Sequence, residues 1–445
     1  MAKQVSTPLY QQLLDRFDGG LAIAQQAEPA FLKNARLQAQ DSFRNLGFPS
    51  TRVEDWKYTN IAPFLKNNYS LDHEHAVLHE NTLDAAIIEG LDCYKLVLLN
   101  GKLMATGYKE QLPSFIKIRP MAEAKEEAGF QKYFGKQIEL EKYHLAALNT
   151  ASFSDGFFIE VNANANLDKP LHIVHTFSAD KDLFVQPRHL IIAHRGASLD
   201  VIESVVSDNN AAKMFVNSLS EVVVEENANV NHYVLQTAQE GLRLISHTEV
   251  SQKRDSVYSN YTFSLPSAEL LRNNLHINLD SEHTESHLYG LYLGADHQLV
   301  DNHTFMNHRL AHCESNEIYK GVLLENATGV FNGKVYVHQD AQKTNAFQQN
   351  NNLLLSTKAT INSKPQLEIF ADDVKCSHGS TIGQLSQEAL FYLQSRGISE
   401  DSARALLVTA FAFDVTEKIK IPELEVYINK LINHHIPANQ EMIKI

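Results

Sequence analysis

Two residues with metal-binding side chains lie close together near the end of the chain, Cys376 and His378. On an extended segment every second side chain points the same way, so this thiol and this imidazole would share one face. Thiolate and imidazole both bind iron and other soft metals, and the neighbouring Lys375 would lower the thiol pKa. One Cys and one His cannot complete a four-coordinate site, so a metal bound here needs ligands from another chain. On this chemistry alone, a structural cysteine and a capping histidine are the favoured interpretation.

A second stretch, residues 287–314, is dense in side chains that can bind metal. Histidines in the turns of a β structure are more often solvated surface than ligands, so a metal site is the less favoured interpretation of this stretch. The residues concerned are His287, His297, His303, His308, His312 and Cys313.

The segment that begins at Gly329 superficially resembles a phosphate-binding loop. That loop requires four residues between its two glycines and a serine or threonine after the lysine. Here three residues separate Gly329 from Gly333, and a valine follows Lys334. A Gly-x-Ser-x-Gly nucleophile elbow is also absent from the sequence. We therefore predict no nucleotide site of this kind, and the sequence shows no convincing nucleophile–base pair.

Composition and charge exclude several classes of protein. The chain has 445 residues, 53 of them acidic and 39 basic, for a formal net charge of −14. Such an acidic chain gains no overall counterion release on a phosphate backbone, so nucleic acid is not an expected partner. Three cysteines without a CxxC pair indicate a reducing compartment. The first eight residues lack the apolar segment of a signal peptide, and no run of about 18 apolar residues occurs, so we expect a cytoplasmic protein without membrane contact.

Helical patterns at both ends of the chain enclose a long β-rich middle. Apolar residues recur at helical spacing over residues 8–46 and 121–149, with an extended stretch at 94–118 between them. From about 157 to 371, short β-type runs alternate with turn residues. The tail from residue 384 returns to helical spacing, with stop and start signals at Gly397, Ser399 and Pro422.

Alanines recur at a nearly constant spacing within the β-rich middle. Six of them, each in a turn, lie at intervals of 32, 31, 67, 32 and 32 residues, and 67 is close to two steps with one degenerate turn. A fixed period of strand–turn units is typical of a β-solenoid, in which each coil buries its inward face on its neighbours. A β-sandwich with coincidental alanines is the alternative. The six are Ala165, Ala197, Ala228, Ala295, Ala327 and Ala359.

The predicted fold is therefore mainly β, with a β-helix (solenoid) core flanked by N- and C-terminal helical regions. We place the core at 151–380, after a mostly helical domain at 1–150 and before a helical domain at 381–445. An apolar helical cap of this kind closes the end of a solenoid, or it offers a surface to a partner.

Several motifs resemble the SufB/SufD family of iron–sulfur cluster assembly proteins. The C-terminal signature comprises residues 363–379, which contain Cys376-Ser377-His378-Gly379, and residues 390–398. Residues 333–337 and 348–355 also match. Near the N-terminus, Arg52 and the run Glu54-Asp55-Trp56-Lys57-Tyr58-Thr59 resemble a motif of the SufD branch. The Cys-Ser-His-Gly form and the Trp-Lys-Tyr motif favour that branch. SufB-type chains also carry a cysteine cluster, which is missing from this sequence.

The resemblance implies a cytoplasmic, non-enzymatic scaffold with a β-helix core and helical ends. It implies pairing with a SufB-type subunit, docking of a SufC-type ATPase on the C-terminal helices at about 386–435, and support of iron supply. Cys376 and His378 match the SufD positions proposed at the shared interface, where an iron–sulfur cluster forms transiently. An open solenoid edge also offers the isolated chain a route to a homodimer.

Two other hypotheses stay open on the sequence. A β-helix carbohydrate-active enzyme, a lyase or a hydrolase, would use the Asp- and His-bearing turns at 296–312. The missing signal peptide and the helical ends argue against it. The second alternative is a plain interaction scaffold without any role in metal binding.

Overall fold

The computed structural model of the protein describes residues 7–19, 28–72, 77–78, 80–104, 112–153, 155–208 and 212–436. The outermost residues of the two predicted terminal domains, 1–6 and 437–445, lie outside this part of the chain. The α-helices are α1 (Pro8–Asp18), α2 (Ala30–Leu46), α3 (Glu80–Asp84), α4 (Ala128–Tyr133), α5 (His144–Ser152), α6 (Gln387–Ser395), α7 (Glu400–Thr416) and α8 (Pro422–His435). Short 3-10 helices lie at Glu54–Trp56, Phe64–Lys66 and Ala124–Glu126.

The strands divide between the N-terminal region and the long middle of the chain. They are β1 (Tyr94–Leu99), β2 (Lys102–Leu103), β3 (Ile116–Pro120), β4 (Gly156–Val161), β5 (Leu171–Phe177), β6 (Leu183–Val185), β7 (Arg188–Ala193), β8 (Ser198–Ser207), β9 (Met214–Val224), β10 (Asn229–Gln236), β11 (Leu242–Gln252), β12 (Val257–Ser264), β13 (Leu270–Leu279), β14 (Glu285–Gly294), β15 (Leu299–His308), β16 (Glu314–Leu323), β17 (Thr328–Val337), β18 (Asn345–Leu354), β19 (Thr360–Ile369) and β20 (Lys375–Gly383).

From β7 onward, successive strands alternate between two sheets, so the chain winds into a solenoid. Sheet A has the order β3-β4-β7-β9-β11-β13-β15-β17-β19, with β6 beside β9, and sheet B has the order β2-β1-β5-β8-β10-β12-β14-β16-β18-β20. The β1–β2 and β3–β4 pairs are antiparallel, and the other pairs are parallel. Parallel pairing of strands one full coil apart excludes the sandwich alternative. The predicted mainly β class with helical ends is confirmed.

Ladders of aliphatic side chains hold the coils of the solenoid together. One such ladder on the inward face of sheet A runs through successive strands at positions that lie opposite one another. All of its members are almost fully buried, and burial of each such side chain stabilises the fold by about 1.5–3 kcal/mol. They are Val222, Val250, Ile277, Met306 and Val335.

Seven of the eight turns from sheet A to sheet B use a left-handed residue followed by a small or compact residue that faces inward, the exception being the turn from β19 to β20. The left-handed residues have φ between 56° and 67°, and they are Asn164, Gly196, Asn227, Asp255, His283, His312 and Lys343. The residues that follow them are all buried, and they are Ala165, Ala197, Ala228, Ser256, Thr284, Cys313 and Thr344. This two-residue corner is the true repeat of the chain.

The six alanines of the predicted repeat belong to two different corners. Those at 165, 197 and 228 lie in turns from sheet A to sheet B, whereas those at 295, 327 and 359 lie in turns from sheet B to sheet A. The interval of 67 residues therefore joins unlike corners, and its interpretation as two steps with a degenerate turn is wrong. Asn229 pairs with Val257, and Val257 pairs with Glu285, so the coils in this region are only 28 residues long.

His312 provides a test of the corner geometry. A left-handed backbone costs about 1–2 kcal/mol for residues other than glycine. Glycine avoids this cost, but it loses more conformational entropy on folding, which offsets about 0.5–1 kcal/mol of the gain. Both His312→Gly and His312→Val lose the stack of this ring on His283, so we expect the glycine variant to have the higher free energy of unfolding of the two, by about 1 kcal/mol or more. Urea unfolding of the two variants measures this difference. A glycine variant less stable than the valine variant would contradict the assignment of His312 as a turn residue.

The N-terminal region covers the outer face of sheet A. Helices α1, α2 and α5 share an apolar cluster with Phe215, Ile245 and Leu270, which are outward-facing residues of that sheet. Residues 121–149 are helical only in part, because α4 ends at Tyr133 and a left-handed Gly135 with φ of 69° follows it. Strands β1 and β3 of this region join sheets B and A.

The C-terminal helices cover the outer face of sheet B. Helices α7 and α8 pack on outward residues such as Tyr233 and Leu291, and Lys320 Nζ donates to the Phe411 carbonyl oxygen over 2.7 Å. Helix α7 begins as the sequence predicts, with the Ser399 side chain accepting from the Ser402 N–H. The two helical regions therefore brace opposite faces of the solenoid.

Candidate functional site

Cys376 and His378 lie on β20, the last strand of sheet B. Cys376 is paired with Ala346 of β18, and His378 is paired with Gln348. Ala346 and Gln348 are buried, and residues opposite each other in a ladder project to the same side of the sheet. The thiol and the imidazole therefore both face the interior side of the solenoid, as the spacing of the two residues predicts.

The end of the solenoid that contains these residues is uncovered. Within the described part of the chain, no strand pairs with the outer edge of β19 or β20. His378 and Ser380 are consequently exposed, and Cys376 is half-buried. Across the solenoid, Ser363 of β19 lies within hydrogen-bond distance of Ser380 (2.8 Å between the Oγ atoms) and of Asn350 Oδ1 (2.7 Å). We call this surface, defined by Ser363, Cys376, His378 and Ser380, the open end.

The environment of Cys376 keeps its thiol protonated. The side chain packs against the apolar core, and this burial raises the thiol pKa, with a smaller opposing effect from a hydrogen bond to the Ala346 backbone. The expectation that Lys375 lowers this pKa is wrong, because adjacent residues of a strand project to opposite faces. Binding of a metal at Cys376 would therefore have to displace a proton.

A buried carboxyl group lies two strands below His378. Gln348, which lies opposite His378, is itself paired with Glu317. Gln348 Nε2 donates to Glu317 Oε2 over 2.8 Å, and Thr304 Oγ1 lies 2.6 Å from Glu317 Oε1. Burial raises the pKa of Glu317 to about 7, although both hydrogen bonds favour the carboxylate. The open end thus has a group beneath it that titrates near neutral pH.

The histidine-dense stretch 287–314 does not form one site. His303 lies under the N-terminal region, with Nε2 placed 2.9 Å from Asp301 Oδ1. His308 faces the interior and lies 2.9 Å from the Ser315 hydroxyl, whereas His312 stacks on the preceding corner histidine. Cys313 is a fully buried corner residue. These side chains are separated because each serves a different face or turn of the solenoid.

A group of possible metal ligands that sequence analysis missed lies on the outer face of sheet A. Among the described residues, the ligand atoms of His247, Glu249 and His276 all lie within 4.8 Å of one another. Burial lowers the pKa of His247 to about 4. Burial opposes ionisation of Glu249, but the two histidines outweigh it and lower the carboxyl pKa to about 2. The sequence does hold a signal for this group: His247 and Glu249 are two residues apart, and a further histidine, His276, follows about one coil later.

Two family descriptions together match most of the chain. "SufBD protein N-terminal region" matches residues 8–173, and "SUF system FeS cluster assembly, SufBD core domain" matches residues 175–411. The chain belongs to the SufBD family. This membership confirms the resemblance inferred from the motifs, and it connects the chain with iron–sulfur cluster assembly.

Relatives with curated names extend over the same length of chain. An iron–sulfur cluster assembly SufBD family protein of Synechocystis is 32% identical over 91% of this chain and 91% of its own length. The SufD protein of Escherichia coli is 28% identical over 90% of this chain and 93% of its own length. The SufD protein of Bacillus subtilis is 26% identical over 92% of this chain and 95% of its own length.

Two further predictions concern the organisation of this SufBD family chain. The two family matches meet at residues 173–175, whereas the sequence analysis places the end of the N-terminal domain at 150. The domain boundaries at 150 and 380 stay predictions. Within the described residues, no helix combines the length and the apolar character that crossing a bilayer requires.

Proposed function

We propose that this chain is a SufD-type, non-enzymatic scaffold subunit of a SUF-type iron–sulfur cluster assembly complex. In that complex it pairs with a SufB-type subunit, docks a SufC-type ATPase and supports iron supply. Family membership and full-length similarity to proteins named SufD support the proposal. The observation that carries it is the open end, where Cys376 and His378 face inward from an uncovered last strand.

The open end has the chemistry of half a shared site. Cys376 and His378 supply one sulfur and one nitrogen ligand, and iron in clusters usually has four ligands. A second solenoid stacked on β20 would bury both side chains and supply the remaining ligands. The nascent cluster is then a transient cargo held between two subunits.

The edges of the open end favour such stacking. Strands β19 and β20 end sheets A and B, and an unpaired strand edge is a template for a strand of another chain. Apolar side chains surround this end and are exposed, which favours association with a partner. They are Phe347, Ile369, Phe370 and Ile382. We propose that the SufB-type subunit extends both sheets here, and that the isolated chain uses the same edge to form a homodimer.

The C-terminal helices supply the proposed docking surface for the ATPase. Phe391 and Tyr392 of α6 and Leu406 and Phe413 of α7 are exposed, although both helices bury their other sides. Exposed apolar groups of this size mark partner surfaces. The missing phosphate loop fits an ATPase that is a separate chain.

Replacing His378 by alanine tests the shared site. The assay uses a complex reconstituted anaerobically from this chain with SufB-type and SufC-type partners, iron and sulfide. We expect His378→Ala to reduce the amount of cluster formed by about 10-fold or more. Loss of a residue that only hydrogen-bonds to a metal ligand already lowers metal affinity by about 10–100-fold. The side chain is exposed, so the free energy of unfolding should change by less than about 0.5 kcal/mol. Cluster absorbance and urea unfolding measure the two quantities.

The matched control is His297→Ala, because His297 is an exposed histidine in a turn away from the open end. It should leave cluster formation unchanged. If the His378→Ala complex forms as much cluster as the complex with the native chain, His378 is not part of the site. Turnover of ATP by the isolated chain would contradict the scaffold role.

The two alternatives are tested with the same protein. In the proposed carbohydrate-active site, Asp301 is already bound by Arg272 and Thr59 beneath the N-terminal region, so it is not free to act on a sugar. Cleavage of an acidic polysaccharide would reverse this conclusion. A plain scaffold without a metal role predicts no cluster signal either with or without the SufB-type partner.

A further inference from the structure

The outer face of sheet A places two imidazoles and a carboxylate at one point. Glu249 of β11 lies opposite His276 of β13, and His247 precedes Glu249 by two residues on the same face. The three residues are almost fully buried, with His247, Glu249 and His276 exposed to 7%, 5% and 7%. Two neighbouring strands of a rigid ladder therefore hold all three groups in fixed positions.

Both imidazoles converge on a single carboxylate oxygen. His247 Nε2 lies 3.0 Å from Glu249 Oε2, and His276 Nδ1 lies 3.3 Å from the same oxygen. Ligands bound to one metal ion at about 2.0–2.2 Å, with angles between octahedral and tetrahedral, are about 2.8–3.6 Å apart. The two nitrogen–oxygen separations therefore match edges of a metal coordination polyhedron, and the ligand atoms of the two histidines lie within 4.8 Å of each other.

A second histidine–glutamate–histidine group in the same chain has a different geometry. Glu203 bonds to His175 through Oε2 over 2.6 Å and to His232 through Oε1 over 2.8 Å. Each oxygen of Glu203 therefore serves one imidazole, which is the arrangement of a hydrogen-bonded chain. The convergence at Glu249 is not a general consequence of placing two histidines beside a buried carboxylate.

The surroundings of Glu249 supply an outer partner and free space. Asn278 Nδ2 donates to Glu249 Oε1 over 2.6 Å and so orients the carboxylate, as outer partners of metal ligands do. The ring of Tyr143 lies against both imidazoles, with centroids 5.2 and 4.7 Å away. A cavity of about 430 Å³ between the N-terminal region and sheet A is lined by both histidines, and it leaves room for water or a further ligand.

We propose that His247, Glu249 and His276 bind one divalent first-row transition-metal ion, with open coordination positions toward this cavity. Two imidazoles and one carboxylate with open positions suit Fe²⁺ and Zn²⁺, whereas Mg²⁺ prefers oxygen ligands. A metal ion also balances the charge of a buried carboxylate that is otherwise held by neutral or weakly basic groups. The site uses no thiol, and the proposal does not depend on Cys376, His378 or the proposed scaffold function.

The test uses the full chain with Cys376→Ser and His378→Ala, so that the open end cannot contribute to binding. This parent protein is titrated anaerobically with Fe²⁺, Zn²⁺ and Co²⁺, with Mg²⁺ as the negative control. We expect one transition-metal ion per chain, an X-ray absorption first shell of nitrogen and oxygen only, and no displacement by Mg²⁺. The three metals separate a preference for iron from a preference for zinc.

Glu249→Gln in the parent protein is expected to weaken metal binding by at least about 100-fold. This is the upper end of the usual loss when a residue that only hydrogen-bonds to a metal ligand is replaced, and Glu249 is itself a proposed ligand. Asn278→Ala should weaken binding by about 10–100-fold. The matched control is His287→Asn, because His287 also lies two residues from a glutamate on one strand, with Nε2 3.8 Å from Glu285, but has no second imidazole in that group. It should leave the affinity unchanged.

Circular dichroism and thermal unfolding establish that the variants fold, and His276→Asn replaces Glu249→Gln if the latter does not. Failure of the parent protein to bind any of the three metals would overturn the proposal. Equal affinity in the parent and the ligand variant, or a first shell that contains sulfur, would also overturn it.

Discussion

Replacing Arg272 by alanine should lower the free energy of unfolding by about 3–5 kcal/mol, the usual cost of breaking a buried ion pair from one side. Arg272 and Asp301 are 1% and 0% exposed. Burial opposes ionisation of Asp301, but Arg272 and His303 outweigh it and lower the carboxyl pKa to about 2. Without the guanidinium group, Asp301 is left as a buried charge with only Thr59 and His303 beside it.

The same substitution should loosen the N-terminal region from sheet A. The Arg272 guanidinium lies 3.9 Å from the centre of the Trp56 ring, and its Nη2 donates to the Asp55 carbonyl oxygen over 2.9 Å. Trp56 is the single tryptophan of the chain, so its fluorescence reports this contact directly. We expect a red-shifted emission in Arg272→Ala under native conditions, together with a lower urea midpoint.

Two controls separate the buried charge from the loss of a surface contact. Arg404→Ala removes an exposed pair with Glu400, four residues earlier on one helix, and it should cost no more than about 0.5 kcal/mol. The double variant Arg272→Met with Asp301→Leu replaces the buried pair by apolar groups and should recover much of the stability. A cost below about 1 kcal/mol for Arg272→Ala would show that the pair does not hold the N-terminal region in place.

The solenoid could be predicted because its corners demand small inward residues, and several of these are alanines. The exact repeat could not be predicted, because the same corner position accepts Ser256, Thr284 and Cys313 as well as alanine. The left-handed residue before it is more diagnostic, but this position holds Asn, Gly, Asp, His or Lys. A pattern defined by backbone conformation rather than by residue type is hard to read from one sequence.

A similar reason explains why one candidate site could be predicted from the sequence and the other could not. Cys376 and His378 could be found because they are two residues apart on one strand, and strand geometry alone places them on one face. His247 and His276 come together only because β11 and β13 pair in a particular register. Coil lengths vary along the chain, so that register is a property of the folded solenoid. The same holds for Glu317, which meets Gln348 and Thr304 from three different strands.

Replacing Glu317 by glutamine should change how stability depends on pH. The pKa of Glu317 is raised from an ordinary value of 4.5 to about 7 in the folded chain, chiefly by burial. Between these values the folded chain keeps a proton that the unfolded chain has lost, so the contribution of Glu317 is fully present below pH 4.5 and is lost as the pH rises through 7. The loss amounts to about 3 kcal/mol.

Glutamine cannot ionise, and it keeps a carbonyl oxygen for Gln348 and an amide group for Thr304. We therefore expect Glu317→Gln and the native chain to differ little in free energy of unfolding near pH 4.5, and the variant to be more stable by up to about 3 kcal/mol above pH 8. Urea unfolding across this range measures the difference. Glu314→Gln, on the same strand but exposed, should follow the native chain. Parallel curves for Glu317→Gln and the native chain would mean that the carboxyl group beneath the open end is already ionised near neutral pH.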